Sequence, residues 1–225
     1  MKVALRVLPL ACACGLLASG ASAAPPSPAD CSVPCSIPLV GTKSGSADAH
    51  GTIAITVRSS RTAVIPGSNI RIRFDGCATD IRVCSVQPGY TGGTALSADC
   101  TTGGVGSINA ATDGNGTANL RIVGGARNTF NGAPGAGFGC AEILADDGAG
   151  GPFVSIARVS VGAFDQDGAG GVNPVDLGHW VADWAAGALV GRSDYDCSHS
   201  LGARDLSKLQ SVALSLDASC ASYCH

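Results

Sequence analysis

Six aspartates in the last third of the chain carry its clearest chemical signal. Asp165, Asp167 and Asp176, then Asp194, Asp196 and Asp205, form two sets with the same 0, 2, 11 spacing. Such a repeat reads as an internal duplication. Carboxylates so gathered suit a hard divalent cation, which takes six to eight oxygens from side chains at loop positions 1, 3, 5, 9 and 12 and a carbonyl at 7, with glycine at 6 for the turn. In the first copy Asp165, Asp167, Asn173 and Asp176 fill positions 1, 3, 9 and 12, Gly171 offers its carbonyl, Gly170 makes the turn and Val172 anchors the loop. In the second, Asp194, Asp196, Ser198 and Asp205 fill 1, 3, 5 and 12, Ser200 offers the carbonyl and Leu201 is the anchor. Calcium is the expected cofactor, and three carboxylates held together without it would repel one another, so binding and folding should be coupled.

Three positions depart from the full donor set: Ala169 at position 5, His199 where glycine is favoured, and Gly202 at position 9. They lower the expected affinity to about 10⁻⁶ to 10⁻³ M. An alternative for the second loop is that a disulfide through Cys197 holds it in place of an ion.

Each loop runs into apolar residues at three-and-four spacing: Leu177, Trp180, Val181 and Trp184, then Leu206, Leu209, Ala213 and Leu216. That spacing predicts two amphipathic helices with these stripes buried. Charge marks a boundary as well. Residues 24–161 hold nine acids and nine bases, whereas residues 162–225 hold eight acids and three bases, so the negative excess is C-terminal. With a net charge of −3 there is no basic footprint, and nucleic acid is not an expected partner.

Upstream the period changes to two. Ile53, Ile55 and Val57 alternate with Ala54, Thr56 and Arg58, and Ile70, Ile72 and Phe74 with Arg71, Arg73 and Asp75. Ala118, Leu120 and Ile122 follow the turn signal Asp113-Gly114-Asn115-Gly116, read as a hairpin turn, and Cys140 to Leu144 and Phe153 to Val161 complete six or seven half-buried strands. The 32 glycines suit turn-rich β structure, and a mean hydropathy of +0.27 excludes disorder. The expected fold is mainly β: an antiparallel sandwich over 50–161 followed by a small all-α module over 162–225, with 24–49 as a linker and first strand.

Positions 1–23 read as a secretory signal peptide: Lys2 and Arg6, an apolar run from Val7 to Leu17, and small residues ending Ala21-Ser22-Ala23. No segment is long enough to span a membrane, and lipidation at Cys12 or Cys14 is not favoured. The expected location is secreted, extracellular or at the cell surface. Nine cysteines remain in the mature chain, so at least one is unpaired or bonded to a partner. Disulfides are favoured over zinc, because Cys31-x3-Cys35 and Cys220-x3-Cys224 lack matching histidines apart from His225. Pairing is not legible from sequence, although Cys77 with Cys84, and Cys197 with Cys220 or Cys224, are locally compatible.

The duplicated loops resemble dockerin repeats, relatives of EF-hands in which aspartate replaces glutamate at position 12 and a hydrophobic residue follows, as in Asp176-Leu177 and Asp205-Leu206. The resemblance covers about 163–217 and implies a cohesin-like protein partner by analogy. Positions 10 and 11, often Ser-Thr in cellulosomal dockerins, are Pro174-Val175 and Ala203-Arg204 here. Upstream, Ala111 to Leu120 is similar to the D-x-N-G-x-A/T turn of bacterial Ig-like domains of invasin and intimin type, which implies an Ig-like sandwich and leaves its ligand open.

No G-x-S-x-G elbow, H-E-x-x-H helix, phosphate loop or dinucleotide fingerprint is present. The histidines are His50, His179, His199 and His225, of which His179 and His225 read as surface residues rather than catalysts. Glu142 with Asp146 and Asp147 could supply a glycosidase pair, but Asp146-Asp147-Gly148 reads as a turn. The sequence therefore predicts a non-enzymatic calcium-binding protein for adhesion, docking or assembly, in which the dockerin-like module docks to a partner or caps the Ig-like domain. The alternative is a carbohydrate-binding or polysaccharide-degrading accessory tethered through its dockerin-like part.

Overall fold

The computed structural model describes residues 23–77, 79–100, 106–127, 138–187, 191–213 and 224. Among these the chain forms β1 (Ser36–Val40), β2 (Thr42–Lys43), β3 (Ser46–Ala47), β4 (Ile53–Thr56), β5 (Asn69–Arg73), β6 (Ile81–Val83) and β7 (Ser97–Asp99). It continues with β8 (Ser107–Ala111), β9 (Thr117–Leu120), β10 (Ile122–Ala126), β11 (Ala141–Ala145) and β12 (Val154–Ala163), then α1 (Pro174–Ala185) and α2 (Ala203–Ala213). The protein is mainly β, an eight-stranded mixed sheet that curls into a nearly closed barrel, followed by two short helices.

The sheet order is β6-β10-β1-β12-β11-β5-β8-β7, with β4 and β9 paired apart from it. The alternation read from sequence sets which side chains turn inward: Ile53 and Ile55 on β4, and Ile70 and Ile72 on β5, are buried, while Arg71 and Arg73 face outward. Side chains of both sheets share one core, in which Ile55 and Leu120 of the β4–β9 pair meet Ile37, Ile72, Ile143 and Val161 of the large sheet.

Three expectations change. The sheet is not wholly antiparallel, because β1 lies between β10 and β12 and runs parallel to both, with Leu39 opposite Ile122 on one side and Ala163 on the other. Ile37, Leu39 and Val40 are fully buried, the near-continuous apolar run of a strand covered on both faces. Second, Ala118 to Ile122 is not one strand. Arg121 interrupts it, β9 pairing with β4 and β10 with β1 and β6. Third, the Asp113–Gly116 turn is tight, with Gly116 at φ +69 and the Asp113 carboxylate accepting from the amides of Asn115 and Thr117, yet it joins strands of different sheets rather than a hairpin.

Three disulfides occur among the described residues, Cys35–Cys197, Cys77–Cys140 and Cys100–Cys224, and Cys84 is disulfide-bonded as well. The local pairings Cys77 with Cys84 and Cys197 with Cys224 do not form, because the sheet brings together cysteines far apart in the chain. Among the described residues Cys31 is the free cysteine; burial pushes its thiol pKa up, which disfavours the reactive thiolate. This bonding indicates an oxidising environment. No helix among the described residues is long and apolar enough to cross a membrane.

Candidate metal centre

A second core holds the helices on the sheet: Val40, Val123 and Phe164 from the β region pack with Val172, Trp180, Tyr195, Leu209 and Val212. Around it the two acidic loops adopt the same internal lattice. In the first, Asp176 Oδ1 accepts from the amides of Gln166 (2.5 Å) and Asp167 (3.1 Å), and its Oδ2 from Asn173 (2.7 Å). In the second, Asp205 Oδ1 accepts from Tyr195 (2.8 Å) and Asp196 (3.1 Å), and its Oδ2 from Gly202 (3.0 Å). Asp165 and Asp167 share the amide of Ala169, as Asp194 and Asp196 share that of Ser198. Positions 4 and 6 are left-handed in both copies, Gly168 and Gly170 at φ +69 and +78, Cys197 and His199 at +58 and +56.

These turns bring each triad together. Carboxylate oxygens of Asp165, Asp167 and Asp176 lie within 4.8 Å of one another, and so do those of Asp194, Asp196 and Asp205. Asp165, Asp176, Asp194 and Asp205 are buried, while Asp167 and Asp196 are half-buried at the mouth. An all-carboxylate cluster with carbonyls nearby fits a hard, oxygen-seeking divalent cation better than zinc or copper.

The electrostatics agree. Burial raises the pKa of Asp176 and of Asp194, the latter further through the negative charges of Asp205 and Asp196, whereas hydrogen bonding from Ser198 lowers that of Asp196. A raised carboxyl pKa favours the protonated acid in the fold. That stability is present below the ordinary aspartate range and is lost as pH rises through the raised value. A bound cation would supply the missing positive charge.

The remaining sequence candidates sit differently. Asn173 Oδ1 caps α1 by accepting from the Val175 amide, and its Nδ2 donates to the carbonyl of Gly171. Ser198 Oγ donates to the carbonyl of Ser200. These side chains are engaged within their own loops, but neither bond exhausts the lone pairs of Asn173 Oδ1 or Ser198 Oγ.

The α1 stripe is also turned, whereas on α2 Leu209 is buried and Leu206 packs against the same core as expected. Position 12 must point into its loop, which fixes the phase of the helix that begins there. Residues four and seven further on then face inward: Asp176, Trp180 and Asp183 on α1, and Asp205, Leu209 and Val212 on α2, are buried. Of the stripe expected to be buried on α1, Leu177, Val181 and Trp184 are instead 36, 45 and 57% exposed. The side chains of Ala213 and Leu216 lie outside the described residues.

What sequence reasoning missed is the polar network joining the copies. Gln166 Nε2 donates to Ser193 Oγ (2.9 Å) and to the Tyr195 hydroxyl (2.8 Å), and Tyr195 in turn donates to the carbonyl of Ala163. Ser193 donates to Asp183, which holds Arg192 in a buried two-point ion pair at 2.8 Å for each contact. The only signal was one large polar residue at position 2 of each loop, Gln166 and Tyr195. Elsewhere, Asp146 accepts from Asn69 and Gly148, and Asp147 from Ala149 and Gly151, the carboxylate-to-amide bonds of turns. Glu142 accepts from Ser155 on the outer sheet face, and His50 bonds the buried Asp48.

Both loops are fastened to the β region at position 4. Arg82 donates to the carbonyl of Gly168, and the Ala126 amide to that of Asp165 (2.8 Å). In the second copy Cys197 is bonded to Cys35. A Cβ on Gly168 would stand 2.1 Å from the carbonyl oxygen of Ala126. Gly168→Ala is therefore expected to cost about 1–3 kcal/mol, read as a lower urea midpoint with unchanged slope.

Comparison with family models, with curated proteins and with solved structures returned no match.

Proposed function

We propose that this is a secreted or surface-displayed, non-catalytic calcium-binding protein, in which two calcium loops form a dockerin-like module set on an Ig-like sandwich. The observation that carries the reading is the duplicated lattice: two acidic triads, one in each loop, with the same amide donors at the same loop positions. Asp165, Asp167 and Asp176 would hold one ion and Asp194, Asp196 and Asp205 the other, with carbonyls and water completing each shell. The Ig-like reading draws support from strand order, with β4 and β9 on one side and β1-β12-β11-β5-β8 on the other, sharing a core. Titration calorimetry of calcium into the full chain tests the reading. Two equivalents are expected, and no uptake at millimolar calcium sinks it.

The module's outward role is to dock a protein partner through α1. Val175, Leu177, Val181 and Trp184 are exposed there, whereas the equivalent positions of α2 carry Arg204, Leu206, Gln210 and Ala213. Leucine stands at 177 and 206 in both copies, but at the other three outer positions the second copy lacks the large apolar side chain of the first. An exposed apolar row is unusual on a surface without a partner. Changing Leu177 to Ser with Trp184 to Ala is expected to move stability by less than about 1 kcal/mol, because both are exposed. The same change should cut retention on an immobilised cohesin-type module about tenfold or more. Retention equal to that of the unaltered chain would remove α1 as the docking face.

A further inference from the structure

Strands β5 and β12 carry three arginines on the outer face of the large sheet, and two of them are matched. Arg73 pairs with Asp75 and stands 3.8 Å from Glu142, and Arg158 stands 3.9 Å from the same Glu142. Among the described residues, Arg71 has no carboxylate partner. Its guanidinium lies over the Phe153 ring, 4.7 Å from the centroid, and its Nε donates to Asn109 Oδ1 at 3.0 Å. These two contacts fix the plane of the group and leave its two terminal nitrogens for something else. It borders a depression of about 190 Å³, lined by Arg71, Arg73, Ser107, Leu144 and Phe153.

We infer that this depression binds the acidic ring of an anionic saccharide, with Arg71 taking its carboxylate or sulfate through the terminal nitrogens. A planar guanidinium already oriented is suited to two-point recognition of an oxyanion, since little side-chain freedom remains to be lost. The volume admits one small group rather than a drug-sized ligand. Leu144 gives an apolar wall for a ring, Phe153 holds the guanidinium of Arg71 in place, and Ser107, opposite Arg73 in the β5–β8 register, offers its hydroxyl to the ligand. A row of exposed aromatics, the usual platform for neutral sugars, is not what the face offers. Tyr90, the aromatic of the 86–116 segment, is half-buried with its hydroxyl bonded to the Asn119 carbonyl, and Phe130 lies outside the described residues. The inference concerns the β region alone and stands whether or not the acidic loops take calcium.

The test is calorimetry of the full chain with three probes in the presence of chelator: an oligogalacturonate, the neutral galactose oligomer of the same linkage, and a sulfated galactan oligomer. Binding of the uronate, the sulfated probe or both, and at least about tenfold weaker binding of the neutral one, is expected. The two acidic arms show which oxyanion is preferred. Arg71→Lys keeps the charge and loses the fork, and is expected to weaken binding about tenfold, as is Phe153→Ala. Arg61→Ala, at an arginine 94% exposed elsewhere on the surface, is expected to change nothing. The inference is overturned if no acidic probe binds, if the neutral probe binds equally, or if Arg61→Ala weakens binding as much as Arg71→Lys.

Discussion

Calcium at a hundred times its dissociation constant is expected to stabilise the fold by about 2.7 kcal/mol for each site it fills, and chelator to remove that gain. For a chain of this size about 1 kcal/mol moves the melting temperature by roughly 2–4 °C, so two filled sites raise it on the order of 10 °C. The effect is large because four buried carboxylates, Asp165, Asp176, Asp194 and Asp205, are brought close to further negative charge at Asp167 and Asp196. Far-ultraviolet dichroism should follow the same transition, since position 12 of each loop is also in the first turn of α1 or α2. Replacing Asp167 and Asp196 together by Ala is the informative variant. Both are half-buried at the mouth of their loops, and each triad loses a ligand while the amide lattice around Asp176 and Asp205 persists. Its melt should be the same in calcium and in chelator. A wild-type melt that calcium leaves unchanged would end the cation reading.

Removing the Cys35–Cys197 bridge as a pair, by Ala at both positions, is expected to cost about 2–5 kcal/mol, the range for closing a long loop in the unfolded chain. The two cysteines are 162 residues apart in sequence. A second effect separates this bridge from a mere staple. Cys197 lies between Asp196 and Ser198 at left-handed φ, and its partner immediately precedes β1, so the bond fixes the second loop to the sheet. The corresponding residue of the first loop, Gly168, is held by Arg82 and is untouched by the change. Calcium titration of the double variant should therefore show one site near its original affinity and one weakened about tenfold or more, a loss of about 1.4 kcal/mol. Equal affinities at both sites, together with an unshifted melt, would show that the bridge supports neither.

How much of this was legible in the sequence depends on whether the governing force was local. The triads were, because a loop of twelve residues with fixed donor positions closes on itself, and Gly170 and His199 stand at the left-handed position where such a loop bends. Strand faces were legible too, since Ile70, Arg71, Ile72 and Arg73 need only alternate. What escaped was pairing across distance. Period-two patterning marked Ile53 and Ile55 as facing a core, but it carried no sign that β1 inserts between β10 and β12 or that Arg121 sends β9 and β10 to different sheets. The cysteine pairs followed the sheet, not the local spacing. The α1 stripe failed for another reason: apolar periodicity selected Leu177, Val181 and Trp184 as the inner face, yet the need to aim Asp176 into its loop set the helix phase, and Asp183 with Arg192 and Ser193 filled the interior in their place.

The insertion of β1 orders events in time. This strand leaves the ribosome early, but the neighbours that bond it, at residues 122–126 and 154–163, are translated only after most of the β region has been made. A nascent chain holding only the first half of the protein therefore has no slot for Ile37 and Leu39, and exposes them until β12 arrives. Closure of the barrel is therefore expected to be a late, slow step, because it joins strands far apart in the chain, and truncation within β12 is expected to yield an aggregation-prone chain rather than a smaller folded domain.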